Sequence, residues 1–226
     1  MSTDISERGR TGRTGLRRFL EPAQPRAERC ELCGQDVPPE HRHLVDEERR
    51  SLACACTPCA MLFDRPGAST GRFRSLPDRI LTDPELGAGL GPAAWEALRV
   101  PVSIAFFFRN SELGRPVAFY PSPAGATESE LDPETWESVF GGAALAELML
   151  PDTEALLVRR SPGSGGDADR TDCYLVPVDL AYALVGRMRL HWQGFDGGAQ
   201  AHAELAAFFD DLARRATDVP REDGRT

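Results

Sequence analysis

Lysine is absent from the 226 residues, and all 26 basic side chains are arginine. This excludes Schiff-base catalysis and the phosphate-gripping lysine of a P-loop. Long apolar runs are missing too. The stretch "VPVSIAFFF" ends at Arg109, well short of the roughly 20 residues a membrane helix needs. The N-terminal segment carries no apolar core of the kind a secretory leader requires, so none is expected. A cytoplasmic location is the resulting expectation, and there thiols stay reduced and disulfides are disfavoured. Positive charge is also in deficit. The formal net charge is −9, a sign that repels nucleic-acid backbones and anionic membranes. No Ser-His-Asp or Cys-His constellation is visible, and "PAGAT" lacks the lysine and the glycine spacing of a phosphate loop. No enzyme is expected on these grounds.

Apolar residues make up 41% of the chain, enough for a packed core. The composition changes along its length. Residues 1–28 are rich in Arg, Gly, Ser and Thr and read as a disordered tail, with "GLRRFLEP" as a candidate docking segment through Leu16, Phe19 and Leu20. A cysteine-rich module follows at 29–64, then a linker at 65–81 with turn residues Pro66, Gly67 and Gly71. A larger α+β domain is expected over 82–216, with a second tail at 217–226.

Within that domain, "VSIAFFFRN", "GRPVAFYPSP", "TEALLVRR" and "TDCYLVPV" have the β-branched and aromatic character of strands, the first two joined as a hairpin through "NSELG". Helices are predicted near Pro92–Leu98, after the N-cap Asp132 with Pro133 in its first turn, over "DLAYALVGRM", and over "AQAHAELAAFFDDLARRA". Gly141 and Gly142 are placed to break the second of these. Strands and helices mix without a β-α-β rhythm, so the class is α+β. Tyr120, Ser122, Trp192 and Phe195 offer either a shared pocket or ordinary turns with buried aromatics, and the second is the plainer reading. Cys173, at a strand start, reads as a small core residue.

The module itself holds five of the six cysteines. Cys30 and Cys33 form one C-x2-C pair, and Cys56 and Cys59 form another, with 22 residues between the pairs. Four thiolates so spaced suit a tetrahedral ion, because each C-x2-C turn aims two sulfurs at one point. Gly34 can supply the positive φ that such a turn requires. Between the pairs, "HRHLVD" and "RSLACA" read as a hairpin about "EERR", and "CTPCAMLF" as a helix opening on the second pair. Pair, hairpin, then pair at a helix start is the order of a treble-clef finger. Zinc is the expected ion, with iron in a rubredoxin-like site as the alternative; "CTPCA" lacks the glycine that alternative expects. Cys54, His41 and His43 are surplus to one ion. Cys54 is either a competing ligand or a buried thiol beside the site, and the latter is commoner. His41 and His43 share a strand face, either as ligands of a second ion or, more ordinarily, as surface residues or hydrogen-bond partners of ligands.

Two resemblances bear on function. "CELCG" followed by "HRHLVD" looks like the start of an HNH nuclease finger, which would make His43 or His41 a general base. The "AMLFDR" after Cys59 departs from it, lacking the His or Asn that holds the catalytic ion. More extensively, "CELCG…HRHLVD…CACTPCAMLF", "FYPSPAGATES", "HWQGFDGG" and the final "FF" helix together resemble an uncharacterised actinobacterial family. The likeness runs from about Cys30 to Ala213. Members of that family are often encoded beside high-affinity nickel–iron hydrogenases and their accessory proteins. The resemblance implies a zinc-bearing accessory protein whose partner is a hydrogenase subunit or maturation factor.

Overall fold

The computed structural model describes residues 27–64, 71–163, 169–193 and 197–220. The candidate docking segment and Phe195 lie outside them. The chain opens with a small sheet of three strands, β1 (Arg42–Asp46), β2 (Ser51–Ala55) and, after the short helix α1 (Thr57–Met61), β3 (Phe73–Ser75). Its order is β2-β1-β3, antiparallel throughout. The remaining elements are β4 (Leu81–Thr82), α2 (Pro84–Gly89), α3 (Pro92–Ala97), β5 (Ile104–Asn110), β6 (Arg115–Ser122), β7 (Gly125–Ser129), α4 (Pro133–Phe140), α5 (Ala144–Leu148), β8 (Glu154–Ser161), β9 (Arg170–Pro177), α6 (Val178–His191), α7 (Gly198–Arg215) and β10 (Thr217–Asp218). Seven strands pair in the order β10-β4-β9-β8-β5-β6-β7, with only β10 and β4 parallel. The class is the expected α+β.

The large sheet is covered on both faces, which explains why its central strands read as unbroken apolar runs. Side chains alternate across a strand. Ala105 and Phe107 of β5, Leu156 and Val158 of β8, and Cys173 and Leu175 of β9 pack with Trp95, Trp136, Phe140 and Leu145 from α3 to α5. The intervening Ile104, Phe106, Leu157, Tyr174 and Val176 pack instead with Leu184, Val185, Phe208 and Phe209 from α6 and α7. Burying each large side chain contributes about 1.5–3 kcal/mol, so the two cores dominate the fold. Local signals agree with this packing. Asp132 caps α4 by accepting from Thr135 N at 2.7 Å, and α4 stops at Phe140 before the paired glycines. Cys173 is a buried core thiol, and burial pushes its pKa up.

Several boundaries differ from the sequence expectation. The stretch read as a linker contains β3, which pairs with β1, and reaches β4 of the large sheet. Its Arg79 grips the fully buried Glu154, with Nε to Oε1 at 2.7 Å and Nη2 to Oε2 at 2.9 Å. The C-terminal tail likewise begins with β10, and Val219 is buried in the core. Strands of two or three residues carry too little alternation to be seen in a sequence. Also unforeseen was α2, whose Gly87 lies so close to β9 that a Cβ there would meet Thr171 O at 2.2 Å.

The cysteine module is not a separate bead. Leu44 of β1 points into a small core with Ala55, Ala60, Phe63 and Phe73. Its neighbour Val45 points the other way, into the α6/α7 core, together with Leu52 of β2. Arg74 donates to the Pro151 carbonyl at 3.1 Å, and Arg50 pairs with Glu112. The hairpin is thus shared between two cores.

Candidate metal centre

Residues Cys30 to Gln35 fold into a tight knuckle. Gly34 N donates to Cys30 O at 2.7 Å, and Cys30 N donates to Gln35 O at 2.8 Å. Gly34 sits at φ +76°, a conformation that glycine adopts without strain. The Arg29–Asp36 bridge and their 2.8 Å ion pair close the knuckle at its base. The second pair enters from the end of β2. Cys56 is the extended residue before α1, with Pro58 in the first turn, and Cys59 lies within the helix. One pair on a knuckle and one at a helix start is the arrangement the spacing predicted.

The four sulfurs of Cys30, Cys33, Cys56 and Cys59 lie within 4.8 Å of one another, and Cys33 Sγ is 3.7 Å from Cys56 Sγ. A tetrahedral ion with metal–sulfur bonds of about 2.3 Å sets its sulfurs about 3.8 Å apart. The observed spacing therefore fits such an ion. All six cysteines are free thiols.

The electrostatics of the cluster also favour a cation. Burial works against a Cys30 thiolate, but the backbone N–H groups of Cys56, Cys33 and Leu32 outweigh it and lower the pKa to about 6. The Cys59 thiol, beside Cys56 and close to the other sulfurs, is pushed up to about 12. Four thiols packed this closely cannot all ionise by themselves, since each new charge opposes the next. A divalent cation removes that conflict.

Cys54 does not join them. Its Cα is paired with that of His43 across β1 and β2, and its ligand atom groups with His41 and His43, again within 4.8 Å. The reading of Cys54 as a competing fourth ligand of the finger is set aside. Cys56 shares Cys54's parity, but the strand ends at Ala55, and the turn into α1 diverts Cys56 to the other cluster. Elsewhere, Tyr120 packs on the α3–α5 side of the large sheet and Trp192 on the α6/α7 side, so they line no common pocket. Ser122 is engaged with Thr127 at 2.8 Å. His191 lies 4.0 Å from Glu204 and His202 bonds to Gly198 O. No helix among the described residues is long and apolar enough to cross a membrane.

Fold and site together define an α+β protein that carries a four-cysteine cluster of metal-ligand geometry on a knuckle and a helix start. Residues 29–216 match the model of a family of unknown function, DUF5947, and the chain belongs to that family. Comparison with curated proteins and with solved structures finds no match.

Proposed function

We propose that this protein is a non-enzymatic, zinc-binding accessory protein that recognises a protein partner, a nickel–iron hydrogenase subunit or maturation factor. The observation that carries the metal assignment is the convergence of Cys30, Cys33, Cys56 and Cys59 to within 4.8 Å. Zinc is favoured over iron because the second pair opens a helix instead of forming a second knuckle. A small module with few large apolar groups gains folding free energy from such an ion. The partner class rests on the likeness of the sequence motifs to a family encoded beside hydrogenases. A contact role is supported by the exposure of Met61 and Leu62, adjacent on and just after α1, at 61% and 66%.

Purification of the tagged full chain from its own host tests both parts. Colourless protein with zinc, co-purifying with a hydrogenase component, is the expected result. A red, iron-loaded protein would replace the zinc finger with a rubredoxin-like electron carrier. Recovery without any hydrogenase or maturation protein would remove the partner. Metal-dependent nicking of plasmid DNA would instead support the nuclease reading.

A further inference from the structure

The finger leaves a second cluster unused. One ring nitrogen each from His41 and His43 and the sulfur of Cys54 lie within 4.8 Å of one another. The register of β1 and β2 sets Cys54 opposite His43, and His41, the residue just before β1, brings its ring to the same cluster. The two rings are 4.6 Å apart between centroids.

What faces the outer nitrogens is informative. His41 Nδ1 lies 2.9 Å from the Pro38 carbonyl oxygen, with Glu28 Oε2 at 3.7 Å. His43 Nδ1 lies 3.1 Å from Asp179 Oδ2. A carbonyl and a carboxylate only accept, so in each neutral ring the hydrogen sits on Nδ1 and the lone pair on Nε2. The His41 side chain is only 4% exposed, and its Nε2 is buried with no hydrogen-bond partner. A buried acceptor left unpaired is costly, and natural structures rarely keep one without a use for it. Metal-bound histidines show this same pattern, donating the far N–H to a carboxylate or a backbone carbonyl.

We propose that His41 Nε2, His43 Nε2 and Cys54 Sγ are the protein ligands of a second metal site, built for a borderline divalent ion of the zinc class. Two imidazoles and a thiolate match that class in softness. On binding, the Cys54 thiol gives its proton to solvent, so the ion, two neutral rings and one thiolate carry a single positive charge. Asp179 and Glu31, whose Oε1 accepts from Cys54 N at 3.0 Å, lie close enough to offset it. The finger fills all four tetrahedral positions, whereas this site fills three. The fourth is left for water or for a side chain of a partner, as in zinc sites that exchange ligands. Because Asp179 opens α6 while the ligands sit on the hairpin, the ion also fastens the module to the domain. The site extends the accessory reading and stands whichever ion fills the finger.

Titration of the metal-free, reduced full chain with Co2+ tests it. Wild type is expected to bind two equivalents, and Cys54→Ser and His41→Ala one each, with the four-thiolate charge-transfer band kept. Asp179→Asn, which removes no ligand, should still bind two, the second about 10–100-fold more weakly. The proposal is overturned if Cys54→Ser binds as much cobalt as wild type, or if Asp179→Asn leaves both affinities unchanged. Failure of the finger would look different: the four-thiolate band would be missing, while an equivalent sensitive to Cys54→Ser remained.

Discussion

His43 Nδ1 stands 3.1 Å from Asp179 Oδ2, a bond that joins β1 of the small sheet to the first turn of α6 across 136 residues of sequence. Val45, two residues along the same face, enters the α6/α7 core. The module and the domain are thereby tied by both a polar and an apolar contact. They should unfold as one unit. In a cobalt-loaded sample, bleaching of the metal band reports the module and tryptophan fluorescence reports the domain, which holds all three tryptophans. The two melting curves should coincide; a module transition well below that of the domain would show that the contacts are weak.

Arg79 and Glu154 provide a test of the segment that sequence alone reads as a linker. Glu154 is fully buried and receives both Arg79 and the Leu150 amide. Arg79→Ala leaves that carboxylate short of its cation and also frees the Leu148 carbonyl. The expected loss is roughly 2–3 kcal/mol, below a full buried-pair rupture because Arg79 is itself part-exposed. Denaturant unfolding measures it. A loss under half a kcal/mol would mean that the segment is a loose tether after all.

Asp46 predicts a pH dependence. Its side chain is buried, which raises its pKa, but the Arg72 hydrogen bond at 3.0 Å and the Arg49 amide at 3.1 Å outweigh burial and lower it. A carboxyl with a depressed folded pKa adds stability above its unfolded value, about 3.9, and loses it as pH falls through the lower folded value. Asp46→Asn should therefore be less stable than wild type at neutral pH. The difference should shrink as pH drops below about 4. A difference that stays constant down to acid unfolding would show that Asp46 acts through packing and not through charge.

The sequence carried the finger well and the second cluster poorly, for a physical reason. C-x2-C pairs place their sulfurs through local turns, so the convergence of Cys30, Cys33, Cys56 and Cys59 could be read from spacing. The role of Cys54 depends on where β2 ends: one more strand residue would have kept Cys54 and Cys56 side by side. It also depends on Asp179, which arrives only once α6 has packed on the large sheet. In the fold, long central strands and the capped α4 were readable. The short strands β3, β4 and β10 were not, because long-range pairing and not local pattern creates them.

Removing metal should be felt beyond the finger. Stripping the full chain with a chelator under reducing conditions leaves four crowded thiols around Cys30 and frees the hairpin that carries Val45 and Leu52. The domain core loses the packing of both side chains with it, so a lower melting temperature of the tryptophan signal is expected, restored in full by two added equivalents of Zn2+. An unchanged domain melt would mean that the hairpin holds its place without the ion.

The central claim is a four-thiolate zinc finger, and zinc-edge X-ray absorption on the full-length Cys54→Ser chain tests it most directly, because that substitution leaves the finger as the remaining site. The account predicts one zinc per chain with four sulfur neighbours at about 2.3 Å. A zinc shell dominated by nitrogen or oxygen, or a chain that holds no zinc, would contradict it.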